Sequence, residues 1–174
     1  MPIQPPAFSA RRLLGMPPNA EAIHDYLNTL SSEPLPEPVI KRFPDSTYYS
    51  YKSLGLSLSF TPTRKGSDKL LLDSIDIYNG HTRDGFQPFV GKEYPYGFTP
   101  QTQAHEIVSQ LGEPDRKGGG GTTRLPCWIE YQFEDEGNDN KDGDRGKSQG
   151  GLMLQLHGVE WEDRDMGWTS LVLF

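Results

Sequence analysis

The chain has 174 residues, which suits one domain or two small ones. Hydrophobic residues make up 34%, beside 19 Gly and 15 Pro, so a core is possible but much of the chain must be loop. A net charge of −7 argues against a nucleic-acid groove or an anionic membrane as partner and suits a basic or neutral protein partner better.

From the N-terminus, "MPIQPPAFSARRLLG" holds no apolar run of the secretory type, and residues 1–11 read as a tail. The first helix is predicted in "NAEAIHDYLNTL". Ala22, Ile23, Tyr26, Leu27 and Leu30 share a face there, Asn19 is placed to cap the start, and Pro34 and Pro36 forbid continuation. Three strands follow: "STYYSYK", then "LSLSF" after a turn at Ser53–Leu54–Gly55, then "KLLLDSIDIY". A second helix is predicted in "TPQTQAHEIVSQLGEP", with Ala104, Ile107, Val108 and Leu111 on one face. Thr99 is expected as its cap, Pro100 in its first position and Gly112 at its end. Three more strands are expected in "CWIEYQF", "GLMLQLH" and "GWTSLVLF", the first two separated by the hydrophilic stretch 134–150.

Both halves thus read helix, strand, strand, strand, and "GLSLSF" is echoed by "GLMLQL". The offset exceeds the roughly 20–50 residues of solenoid repeats, so the pattern predicts a duplicated domain. The expected fold is α+β: two fused helix–β–β–β repeats, with an antiparallel sheet covered by helices on one face and open on the other. The first repeat with its linker is placed at 12–93 and the second, carrying the 134–150 insertion, at 94–174.

"YYSYKSLGLSLSF", "LLLDSIDIYNG" and "GFTPQTQAHEIVSQLGEP" resemble tandem repeats of the β-lactamase inhibitory protein and BamE-like type. The layout is also similar to the phagosome assembly factor family and to bacterial immunity-type proteins. The resemblance covers roughly residues 12–174, and the 134–150 insertion and the Gly118–Gly121 run depart from it. It implies a binding or scaffold protein with an open sheet face, and it carries over no catalytic residue.

Motifs with chemical potential fail on inspection. The histidines His24, His81, His105 and His157 form no HExxH and no i, i+4 pair, so no metal site is expected. The single cysteine, Cys127, excludes an internal disulfide, fits a reducing compartment and is expected as a small buried residue. "RKGGGGTTR" and "GDRGKS" lack the phosphate-loop pattern and read as flexible linkers. Asn138, Asn140, Asp142 and Gly143 imitate a calcium loop, but its twelfth place is Gln149, which has no carboxylate. With six acids between Glu134 and Asp144 against Lys141, that stretch reads as an acidic hairpin loop.

No cofactor and no catalysis are therefore expected. No stretch approaches the about 18 apolar residues of a membrane span, and a cytoplasmic location is expected. Strand alternation places Trp128, Met153 and His157 on the open face, with Trp168 beside them. Trp161 and Trp168 bracket the charged turn "EWEDRDMGW", and Tyr49 and Tyr51 share a face of the first hairpin. Such aromatic and Met residues suit a protein-binding surface. The expected function is a non-enzymatic protein-binding module (inhibitor, immunity-like or scaffold) using the exposed sheet. The alternative is a small-molecule or lipid-binding module with a pocket between the halves.

Overall fold

The structure, a computed structural model, describes residues 9–133 and 150–174. The acidic stretch and its calcium-like residues lie outside them, as does the first part of the N-terminal tail. The chain is a mixed α+β protein with antiparallel strands, and it divides into two compact units, Met1–Thr102 and Gln103–Phe174.

In the first unit, a 3-10 turn at Ser9–Leu13 leads into helix α1 (Glu21–Thr29). Ala10, near the end of the expected tail, is fully buried beside the likewise buried Leu13, so the tail's end belongs to the core. Helix α1 buries Ile23, Tyr26 and Leu27, the predicted stripe; Ala20 rather than Asn19 occupies its N-cap. Burial leaves the Tyr26 phenol well above its usual range, with Glu93 adding to the effect. Four strands follow in a meander: β1 (Val39–Arg42), β2 (Thr47–Tyr51), β3 (Leu56–Pro62) and β4 (Leu70–Tyr78), each antiparallel to the next.

Leu56, Leu58 and Phe60 of β3 face inward with Ile75 and Ile77 of β4, all essentially inaccessible. Each such side chain contributes roughly 1.5–3 kcal/mol by leaving water. Gly55, before β3, has φ +69°, and a Cβ there would lie 2.5 Å from the backbone of Gln87 and Phe89. Only glycine satisfies both constraints.

The second unit holds helix α2 (Ala104–Leu111) and the antiparallel strands β5 (Arg116–Gly118), β6 (Trp128–Gln132), β7 (Gly151–Leu156) and β8 (Trp168–Leu173). Helix α2 starts later than expected. Thr99 and Pro100 form a separate turn, in which the Thr99 amide donates to Thr102 Oγ1 at 2.8 Å. The helix is capped instead by a box in which the Gln103 amide donates to Glu106 Oε2 at 2.8 Å. Gly112 ends it, as read. The inner face of this sheet carries Ile129, Tyr131, Leu152, Leu154, Leu156, Leu171 and Leu173, all buried.

Among the described residues, each unit has four strands where three were expected. The additional strands β1 and β5 are sheet edges whose residues are almost all exposed, so they lack the alternation that reveals a half-buried strand. The chain 118–121, expected as a flexible linker, is packed. Gly118 pairs with Trp128, the Gly120 amide donates to the Leu125 carbonyl at 2.7 Å, and the Gly121 amide donates to that of Val159 at 2.7 Å.

Candidate functional site: a cleft under the second helix

The seven aromatic, Met and His residues singled out from the sequence do not form one patch. Tyr51 pairs directly with Leu56, and Tyr49 with Leu58, so both lie on the core side of the first sheet. Tyr51 is 6% exposed, and Tyr49 packs its ring 5.0 Å from that of Phe60. Tyr51 is a core residue and Tyr49 is half-buried on the same side, so neither belongs to an open face.

Trp168 is also core, at 2% exposure. The cause is a bulge. Val172 and Ser170 pair with the outward-facing Met153 and Gln155, and an unbroken ladder would put Trp168 outward too. The register shifts between Gln155 and Leu156, so Trp168 stands opposite Leu156 on the inner face.

Trp128, Met153 and His157 do lie away from the core, half-buried, half-buried and exposed respectively. Trp128 and Met153 are diagonal rather than direct neighbours, because Trp128 pairs with Gln155 and Glu130 with Met153. Trp128 also has an internal task. It stands opposite Gly118 on β5, and a Cβ on that glycine would lie 2.4 Å from the Trp128 ring. The indole thus covers an edge glycine of its own sheet.

Trp161 belongs to another feature. Its Nε1–H donates to the Gly119 carbonyl at 3.1 Å, and the Lys117 ammonium sits 5.1 Å from its ring centroid. So held, it lines a cleft of about 260 Å³ within the second unit. Ala104 and Val108 of α2, Ile129 and Leu156 of the sheet, and Met166 of the 157–167 loop supply the other apolar walls. His105, Ser109, Asp163 and Arg164 form the rim. A shallower polar depression shares His105, Asp163 and Arg164 and adds Glu162 and Asp165.

The cleft is built from backbone bonds. Helix starts leave amides without intrahelical partners. Here the Ala104 amide donates to the Met166 carbonyl at 2.7 Å and the His105 amide to that of Arg164 at 3.2 Å, fastening the loop to the helix start. His105 Nδ1 lies 2.9 Å from the same Arg164 carbonyl, which can only accept, so Nδ1 carries a proton. Asp165 is 3.8 Å away from that nitrogen. At the other end of α2, the Tyr131 hydroxyl donates to the Gly112 carbonyl at 2.9 Å. Burial, then Glu113 and Asp115, push that phenol up to about 12.

The single cysteine lies outside the cleft lining. Cys127 is fully buried, and burial together with Glu160 and Glu162 raises its thiol, which keeps it protonated at neutral pH. Among the described residues, no three His, Cys, Asp or Glu side chains gather so as to hold a metal ion, and no helix is long and apolar enough to cross a membrane.

The sequence signal for this cleft was present and divided. Ala104 and Val108 belonged to the predicted helix stripe, while Trp161 and Met166 are the two large apolar residues inside the acidic turn "EWEDRDM". What joined them was the clamp of the loop onto the helix amides, which no spacing rule announces. Comparison with known proteins gives no match to any family model, curated protein or solved structure.

Proposed function

We propose that this chain is a non-enzymatic binding module, and that its cleft under α2 receives a bulky apolar side chain of a protein partner whose flanking residues are basic. One observation carries the reading: a concave, mostly apolar space adjoins a polar depression lined by Glu162, Asp163 and Asp165 beside Arg164 and His105. Apolar walls with a few oriented polar groups are the usual make-up of a binding pocket, and charged rims select partners more than they add affinity. The open sheet face is a weaker candidate. Trp168, Tyr49 and Tyr51 are absent from it, and Trp128 covers Gly118.

A second reading, a small apolar ligand in the same cleft, is favoured by its walls, which are apolar on all three sides. Selection from a displayed peptide library tests the first. Peptides with one large apolar residue flanked by Lys or Arg are expected to be enriched, and Val108→Trp, which fills the space, is expected to abolish their binding. Selected peptides that bind wild type and Val108→Trp equally would overturn it.

A further inference from the structure

Strand β1 is an edge of a different character from β5. Among the described residues, five large apolar side chains stand exposed, and three of them are Val39 (45%), Ile40 (38%) and Phe43 (53%), in β1 and the turn after it. The strand pairs with β2 alone, and all four of its residues are exposed. Its free side therefore offers backbone donors and acceptors to an incoming strand. Lys41 and Arg42, both exposed, form no ion pair among the described residues. On β5, by contrast, Arg116 lies 3.7 Å from Glu130, Lys117 stacks over Trp161, and Gly118 is covered by Trp128.

The free cations of β1 choose among occupants. A second copy paired antiparallel over these four residues would set Lys41 against Ile40 and Arg42 against Val39, so no carboxylate would meet either cation. A strand alternating Glu or Asp with apolar residues would instead set a carboxylate against Lys41 and an apolar side chain over Ile40, or, one residue along, a carboxylate against Arg42 and an apolar side chain over Val39. Pro38 and Pro44 bound the segment and limit the ladder to its length.

We propose that β1 is a docking edge for an extended acidic segment of a partner protein, which adds to the first unit's sheet as a further strand. The edge is separate from the cleft, and its test is independent of it.

Fluorescent peptides of about eight residues, alternating Val with Glu or Val with Lys, measure it directly. The Glu peptide is expected to bind at least about tenfold tighter than the Lys peptide, with affinity falling as salt rises. The double variant Lys41→Glu, Arg42→Glu should invert that preference. Both side chains are exposed, and circular dichroism checks that the fold is retained. N-methylation of alternate peptide amides, in the register that faces β1, should weaken binding by at least about tenfold, because it removes the ladder donors. Val108→Trp should bind the Glu peptide as wild type does. Equal binding of both peptides, or binding that survives N-methylation in both registers, would overturn the proposal. So would a dimer of the free chain, seen by ultracentrifugation and dissolved by Ile40→Lys, since a second copy would then own the edge.

Discussion

Strand β3 turns Leu56, Leu58 and Phe60 to the core of the first unit, and β7 turns Leu152, Leu154 and Leu156 to the core of the second. Their other faces differ. The outward residues of β3 are Ser57 and Ser59, which are themselves buried, and the neighbouring outward positions on β4 are Ser74 and Asp76. The outward residues of β7 are Met153 and Gln155, half-exposed beside Glu130, Val172 and Ser170. Inner faces answer to one demand, removal of apolar surface from water, and converge on leucine. Outer faces are free to differ. The first unit holds a carboxylate among small hydroxyls, and the second carries long side chains.

If the inner faces are equivalent, Leu58→Ala and Leu154→Ala should cost alike, about 3 kcal/mol each within the roughly 2–5 kcal/mol of buried leucine truncations. Urea unfolding of the two variants checks this. A difference of more than about 3 kcal/mol would break the equivalence, since it exceeds the whole spread of such truncations.

The outer faces should part on pH. Burial raises the Asp76 carboxyl from its ordinary value of 3.8 to about 6. The folded state then holds the proton more tightly than the unfolded chain. Stability associated with protonated Asp76 is fully present below about pH 4 and is lost as pH rises to about 6. The loss is about 2–3 kcal/mol. Asp76→Asn removes that loss, so its advantage over wild type should grow from pH 4 to 6 and stay constant above. Thermal or urea unfolding across that range measures it. A constant difference at every pH would show that Asp76 is not desolvated.

On the second unit's outer face, Trp128→Ala should cost about 1–2 kcal/mol, because it uncovers Gly118 and loses half-buried ring surface. An unchanged midpoint in urea would return Trp128 to the role of a free contact residue. Met153→Ala, with no glycine to cover, should cost less.

These contrasts also mark what was legible in the residues alone. Period-two leucines placed β3 and β7 and their inward faces, and the stripe of Ile23, Tyr26 and Leu27 placed α1. Two strands escaped because an exposed edge has no alternation: "VIKR" and "RKG" look like loop. Trp168 was assigned outward because parity holds only until a bulge, and nothing in "GWTSLVLF" announces one. The glycines 118–121 looked flexible because their partners, Trp128 and Trp161, are distant in sequence. The cleft was hidden for the same reason, since its loop and helix meet through backbone amides that every residue possesses.

Whether the cleft or the outer sheet face meets the partner is decided by mapping a bound peptide on the protein. Backbone and indole NMR signals are followed while a selected apolar–basic peptide is titrated into the labelled chain. The cleft predicts that the largest shifts fall on Ala104, Val108, Trp161 and Met166, and that they vanish in Val108→Trp. Shifts centred on Trp128, Met153 and Val172, with the signals of Trp161 unmoved, would contradict it.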